Sequence, residues 1–208
     1  MKKYLVEFIG TFFLVFTIGS TVISPGAGAL APLAIGASLM VMIFAGGHVS
    51  GGHFNPAVTL AVWIRGKCDT KDVLPYWVAQ VAAALLAACA VGLIKMPGAA
   101  QPLALASWKP AFFVEFLFTF ALCWVVLNVA TAKGTSGNSF YGLAIGMTVM
   151  TGAFAVGGVS GGAFNPAVAV GISSMGLSFW SNLWVLLGGE ILGAVVAGLA
   201  YKVVNGSE

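Results

Sequence analysis

Charged side chains are scarce in this sequence. Asp, Glu, Lys and Arg make up 7% of its 208 residues, whereas a soluble domain carries roughly 25%. The nine Lys and Arg residues stand singly or in small groups at the edges of apolar runs, which is typical of topology signals rather than of a nucleic-acid surface. Because 60% of the residues are hydrophobic, the chain is predicted to be an integral membrane protein that contacts the lipid bilayer and binds no nucleic acid.

Groups that carry chemistry are equally few. Cys68, Cys89 and Cys123 form no CxxC pair and no spacing that holds zinc. The sequence contains no Ser-His-Asp set and no phosphate-binding loop. We therefore expect no metal, no cofactor and no enzyme activity.

Long apolar runs fill most of the chain, and six of them are long enough to cross a bilayer. The runs cover 4–23, 31–47, 73–94, 109–131, 139–157 and 179–204, with breaks at Pro25, Gly66, Pro97, Gly134 and Met175. Two further apolar stretches, 55–65 and 165–175, would span only about 15 Å as helices, half the hydrocarbon thickness. The sequence predicts an all-α membrane protein with six transmembrane helices and two re-entrant half-helices.

An internal repeat relates the two halves. Residues 47–58, GHVSGGHFNPAV, match residues 157–168, GGVSGGAFNPAV, at ten of twelve positions and an offset of 110. Each half contains three full spans, an odd number, so the second copy must cross the membrane in the opposite sense. We predict one membrane domain, 1–208, with inverted repeats at 1–97 and 109–204.

Basic residues set the expected orientation. Both termini are predicted to be cytoplasmic, in the plasma or inner membrane of the cell, because this arrangement places most cations inside. Lys2, Lys3, Arg65, Lys67, Lys71, Lys133 and Lys202 then lie inside, and Lys95 and Lys109 lie outside.

The two Asn-Pro-Ala motifs predict a pore. They comprise Asn55, Pro56 and Ala57, and Asn165, Pro166 and Ala167. Asn favours the N-cap and Pro the first helical position, and we expect each asparagine to keep both side-chain N–H donors free for the pore. Facing half-helices would bring two positive dipole ends together at midplane and oppose protons and cations.

The loops before the motifs carry the remaining pore candidates. Irregular backbone is tolerated at membrane depth only where protein or a wet cavity surrounds it. We expect a row of carbonyl acceptors that guides a hydrogen-bonding solute. Its members are Gly51, Gly52, His53, Gly161 and Ala163.

The chain resembles the aquaporin, or major intrinsic protein, family. The resemblance is carried by six spans, two Asn-Pro-Ala half-helices and the segment SGGHFNPAVT at 50–59, and it covers essentially the whole chain. It implies a passive water channel, a homotetramer with one pore per subunit, and a buttressing role for Glu7 and Glu115 behind the loops. Gln80 and Glu190 pair by repeat and are also expected to support the structure.

The selectivity-filter positions depart from the family pattern. The resemblance places the narrow selectivity filter at Ile35, Ala153, Gly162 and Val168, and most members have an arginine where this chain has Val168. Small apolar side chains there predict a wider and less polar constriction. We expect water to pass together with other small neutral solutes, such as glycerol, urea, ammonia, hydrogen peroxide or carbon dioxide.

Other readings stay open. Inverted repeats and broken helices also occur in alternating-access transporters, and a closed structural membrane protein would share the same composition. His48 and His53 occur only in the first repeat and admit a pH-dependent gate.

Overall fold

The polypeptide folds almost entirely into helices. A computed structural model describes residues 1–96 and 98–206. Within these ranges lie eight α-helices and three short 3₁₀ turns, with no β-strand. The helices are α1 Lys2–Val22, α2 Ala31–Ser50, α3 Pro56–Arg65, α4 Thr70–Ile94, α5 Trp108–Thr131, α6 Tyr141–Ser160, α7 Pro166–Ser174 and α8 Leu183–Asn205.

Six of the described helices are long and apolar enough to cross a membrane: α1, α2, α4, α5, α6 and α8. The predicted spans agree with them to within a few residues. The largest difference is at the last span, where the 3₁₀ turn Trp180–Asn182 precedes α8. The predicted break at Pro97 lies outside the described residues. The all-α fold class is confirmed.

The two remaining helices are the short ones. Helices α3 and α7 contain 10 and 9 residues, so each rises only about 15 Å. The chain enters them after α2 and α6 end at Gly51 and Gly161, whose φ angles of 89° and 97° are left-handed. Glycine adopts this conformation without steric cost and lets the chain turn back toward the centre.

The half-helices occupy the middle of the bundle. Ala57 and Ala61 of α3, and Ala167 and Ala169 of α7, are fully buried. Phe54 and Phe164, in the loops directly before the half-helices, are buried as well, whereas Gly51 and Gly161 at the start of these loops are exposed. The outward faces of the long helices instead expose large apolar side chains such as Leu74, Leu93 and Phe113, which suits contact with lipid.

Glycines allow the long helices to approach closely. A Cβ atom added to Gly189 or Gly193 of α8 would lie 2.7 Å from the carbonyl oxygen of Phe112 or Phe116 in α5. Small residues at such contacts are typical of helix packing in membranes. The order long, long, short, long occurs twice along the chain, in keeping with the repeats predicted at 1–97 and 109–204, whose boundaries stay a prediction.

Candidate functional site

Each half-helix begins at an asparagine that caps it. The Oδ1 atom of Asn55 accepts hydrogen bonds from Ala57 N at 2.8 Å and Val58 N at 3.4 Å. The Oδ1 atom of Asn165 accepts in the same way from Ala167 N and Val168 N, at 3.0 and 3.4 Å. Pro56 and Pro166 occupy the first helical position, where a missing N–H costs nothing.

The two asparagines bind across the centre of the molecule. Asn55 Nδ2 donates to the carbonyl oxygen of Phe164, and Asn165 Nδ2 donates to that of Phe54, both at 2.9 Å. The amino-terminal ends of α3 and α7 are thereby fastened to each other's preceding loop. Each asparagine was predicted to keep both side-chain N–H groups free. This is wrong for one N–H group of each asparagine, because a carbonyl of the opposite loop accepts a hydrogen bond from it. One N–H per asparagine remains.

An unusual backbone conformation makes this exchange possible. Phe54 and Phe164 have φ angles of 48° and 50°, in the left-handed region that bulky residues rarely adopt. The conformation costs of order 1–3 kcal/mol at each residue. In this conformation the amide and the carbonyl group of the same residue bind different halves of the molecule. The amide of Phe54 donates to Glu7 in its own half at 2.6 Å, while its carbonyl accepts from Asn165 in the other half.

Two buried glutamates hold the loops. Glu7 accepts from the hydroxyl of Ser50 at 2.7 Å and from the amides of His53 and Phe54. Glu115 accepts from Ser160 at 2.6 Å and from the amides of Ala163 and Phe164. Each carboxyl group thus collects three donors from the loop beside it. These contacts are those of the buttress that the family resemblance leads one to expect.

A second polar residue backs each loop. Gln80 donates from Nε2 to Glu7 Oε2 at 2.8 Å and to Thr59 Oγ1 at 3.1 Å. At the matching position, Glu190 accepts from the amide of Asn165 at 3.1 Å. Both side chains are fully buried.

A narrow cavity runs past the asparagines. Its volume is about 60 Å³. Asn55, Asn165 and His53 supply its polar side chains. The four predicted filter residues, Ile35, Ala153, Gly162 and Val168, all line it as well. The structure therefore brings the motif asparagines and the filter candidates to one cavity.

Wider cavities adjoin the narrow one at both ends. The Asp72 vestibule, of about 520 Å³ and bordered by Lys3, Asp72 and Tyr76, shares His53 and Val126 with the central cavity. The Leu103 vestibule, of about 290 Å³ and bordered by Gln101 and Leu103, shares its lining with the central cavity at Ile18, Val22, Ile35, Ala153, Gly161 and Ile172. The three cavities follow one another, with the smallest in the middle.

The predicted carbonyl residues do not all border this path. His53, Gly161 and Ala163 line the central cavity, and Gly51 lines the Asp72 vestibule. Gly52 is not among the residues lining these cavities. It is buried, and its amide donates to the hydroxyl of Ser50 at 3.1 Å.

The two histidines of the first repeat lie apart. The Nδ1 atom of His53 is 3.0 Å from Thr59 Oγ1, and its ring lies on the path between the central cavity and the Asp72 vestibule. His48 instead borders a cavity of about 720 Å³ beside Lys133 and Tyr141, which shares Gly51, Lys67, Ala130 and Thr131 with the Asp72 vestibule but no residue with the central cavity.

Sequence reasoning missed several members of the site. The serine hydroxyls that bind the glutamates, and the phenylalanine carbonyls that bind the asparagines, were not singled out. Ser50 and Ser160, like Phe54 and Phe164, recur at the repeat offset of 110. The sequence signal that could have identified these residues was their identity in the two repeats, at polar or bulky positions of the loops.

In the described residues, six apolar helices surround two facing half-helices with a chain of cavities between them, which is the architecture of a membrane channel. The architecture matches a solved channel structure over nearly its whole length. An aquaglyceroporin from Plasmodium falciparum superposes with a TM-score of 0.80 and 25% identity, covering 98% of this chain and 96% of that one.

The sequence comparisons then name the family. The family model described as major intrinsic protein matches residues 1–201. The chain is 39% identical over 217 residues to the glycerol uptake facilitator protein-like 6 of Lactiplantibacillus plantarum, covering 100% of both. It is 34% identical over 220 residues to aquaporin NIP1-4 of Oryza sativa subsp. japonica, covering 99% of this chain and 77% of that protein. The chain belongs to the major intrinsic protein family of passive channels, and the resemblance stated from its motifs is confirmed.

Proposed function

We propose that this protein conducts water and other small neutral solutes through the central cavity and opposes protons and cations. The observation that supports this most directly is the meeting of Asn55 and Asn165 on one narrow cavity between two wider ones. A solute on this path passes two side-chain amides with one N–H donor each. A water molecule whose oxygen accepts from both asparagines cannot also accept from the next water. This interrupts the hydrogen-bonded chain along which protons move.

Electrostatics supports the exclusion of cations. Helices α3 and α7 point their amino-terminal ends at the same place, and each end is equivalent to about +0.5 charge. The residues that line the central cavity include no Asp or Glu to offset this field. A cation that loses its hydration shell there meets positive potential from both sides.

The apolar filter supports a broader choice of solutes. Ile35, Ala153, Gly162 and Val168 offer no charged group, and Val168 stands where the family resemblance leads one to expect arginine. Without a guanidinium and its five donors, we expect the cavity to be wider at this point and to select less by hydrogen bonding. Glycerol and urea are the solutes we expect beside water.

Stopped-flow light scattering on proteoliposomes tests the function. The wild type is expected to speed shrinkage in an osmotic gradient and to admit glycerol and urea. Val168→Arg should cut glycerol and urea flux by at least about tenfold while sparing more of the water flux. Val168→Met is the matched control, since it adds bulk without charge. Liposomes no more permeable than empty ones, to water or any neutral solute, would refute the proposal.

The same experiment separates the two alternatives. A channel with little water selectivity would give similar wild-type rates for water and glycerol. An alternating-access transporter would give saturable uptake with a steep temperature dependence, whereas a channel gives neither.

The membrane placement and assembly are also proposals. We propose a homotetramer in the plasma or inner membrane with both termini cytoplasmic. Single cysteines in the exposed loops test the orientation in a cysteine-free background. An impermeant thiol reagent should label Gln101→Cys in intact cells and Ser136→Cys only in inverted vesicles.

Cross-linking of the protein in its membrane should stop at four subunits.

A further inference from the structure

Two acidic side chains stand together behind the second half-helix. Glu115 and Glu190 are both fully buried. Oε2 of Glu115 accepts from the amide of Phe164 at 2.7 Å, and Oε1 of Glu190 accepts from the amide of Asn165 at 3.1 Å. Because these amides are consecutive in the chain, the two carboxyl groups are neighbours, and they interact electrostatically. Two adjacent carboxylates in a buried site are strongly unfavourable.

The first half-helix shows how the same contact is made without a second acid. There Glu7 Oε2 accepts from the amide of Phe54 at 2.6 Å and from Gln80 Nε2 at 2.8 Å. Glu190 lies 110 residues after Gln80, the offset that also relates the Asn-Pro-Ala motifs. Glutamine offers an N–H donor at all pH values, whereas a glutamate offers a donor only when it is protonated.

One oxygen of Glu190 lacks a partner. Oε2 of Glu190 is buried and makes no hydrogen bond, although leaving a buried polar atom without a partner is unfavourable. A proton on this oxygen would turn it into a donor. By the repeat, Glu115 is the acceptor that corresponds to Glu7, which accepts from Gln80 Nε2.

No nearby cation substitutes for the proton among the described residues that pack against α8. Helix α7 carries no charged side chain. Lys109 of α5 is exposed and lies six residues before Glu115, with its ammonium 5.9 Å from the Trp108 ring centre. Arg65 of α3 stacks on Tyr201 at 4.6 Å, which is about 16 Å beyond Glu190 along α8.

We propose that Glu190 is a proton-binding site, and that its protonated Oε2 donates to Glu115 as Gln80 Nε2 donates to Glu7. The pair then carries one negative charge rather than two. Glu190 acts as a positioning residue, since its Oε1 holds the amide of Asn165, and as a neutral acid it adds no charge behind the second asparagine.

The consequence for permeation rests on the proposed function. The amino-terminal end of α7 contributes about +0.5 charge at the midpoint. An ionised Glu190 on the amide of Asn165 would add a second negative charge beside that of Glu115 and lower the barrier to cations. A protonated Glu190 preserves it in a channel whose filter has no arginine.

Infrared spectroscopy of the protein, purified in an ester-free detergent, tests the proton directly. At about pH 7 the wild type should show the C=O stretch of a carboxylic acid, which should shift when the protein is labelled with carbon-13 glutamate. Glu190→Gln should lose this band. Gln80→Glu should add a second one, because it places an acid beside Glu7. Gel filtration confirms that each variant is folded.

Two results would overturn the proposal: a wild type without the labelled acid band, or a band that persists unchanged in folded Glu190→Gln. If Glu190→Gln does not fold, the wild-type spectrum and Gln80→Glu still decide, since an unaltered spectrum in Gln80→Glu contradicts the donor role at this position. The infrared measurement needs no permeation, so its failure is distinct from a failure of the proposed function in the liposome assay.

Discussion

Gly36 and Gly146 face each other where α2 and α6 cross. A Cβ atom on Gly36 would lie 2.7 Å from the carbonyl oxygen of Gly146, and one on Gly146 would lie 2.5 Å from that of Gly36. The two backbones are therefore in contact with no side chain between them. This contact joins one helix from each predicted repeat next to the filter candidate Ile35.

Enlarging this contact should destabilise the protein. Gly36→Ala is expected to cost about 1–3 kcal/mol, because the added methyl group forces the helices apart. The midpoint of thermal unfolding in detergent measures the effect. Gly92→Ala in α4 is the matched control: no atom lies within 4 Å of its added Cβ, and alanine favours a helix by about 0.5–1 kcal/mol. Equal midpoints for the two variants would contradict the close crossing.

A second prediction concerns the hydrogen bond from Asn55 Nδ2 to the carbonyl oxygen of Phe164. Asn55→Ser keeps a capping oxygen for α3 but removes the Nδ2 donor, leaving the carbonyl of Phe164 buried and unpaired. We expect a loss of about 1–3 kcal/mol. Asn55→Ala should lose about 1 kcal/mol more, because the cap also disappears. Thermal unfolding checks both values. A serine variant as stable as the wild type would show that the hydrogen bond between Asn55 and Phe164 contributes nothing to stability.

Much of the fold was predictable because it depends on the length of apolar runs. Spans and half-helices differ in length by about a factor of two, and bilayer thickness makes that difference decisive. The helix starts at Asn55 and Asn165 were equally predictable, since Asn-Pro is a local signal. The inverted topology is a prediction from the repeat and the odd number of spans in each half.

The contacts that join the halves were not predictable in the same way. Phe54 adopts its left-handed φ of 48° although phenylalanine carries no local preference for it. Its cause is distant in the chain, since Glu7 holds its amide and Asn165 holds its carbonyl. A local pattern showed that each asparagine had spare donors, but only the assembled structure shows where one of them goes.

The matched serines provide a test of the repeat itself. Ser50 donates to Glu7 at 2.7 Å and accepts from Gly52 N, and Ser160 donates to Glu115 at 2.6 Å and accepts from Gly162 N. Because the contacts match, Ser50→Ala and Ser160→Ala should each cost about 1.5–3 kcal/mol, as expected for hydrogen bonds to a charged group.

Chemical or thermal unfolding in detergent measures these two losses. Ser136→Ala, in an exposed loop, is the control and should stay within about 0.5 kcal/mol of the wild type. A large effect from one serine and none from the other would show that the two loops are not equivalent.

Cys68 provides a prediction that depends on pH. It lies in the loop between α3 and α4, where burial and the nearby carboxylates of Asp72 and Asp69 raise the pKa of its thiol to about 11. The reactive thiolate is therefore depleted below the pKa, to about one molecule in a thousand at pH 8. In a variant whose other cysteines are replaced by alanine, maleimide labelling should accelerate about tenfold per pH unit from about pH 7 to 9 without levelling off. Asp69→Asn should speed labelling because it removes a negative charge near the thiol, whereas Asp69→Glu, which keeps the charge, should not. A labelling rate that levels off near pH 8 would contradict the raised pKa of Cys68.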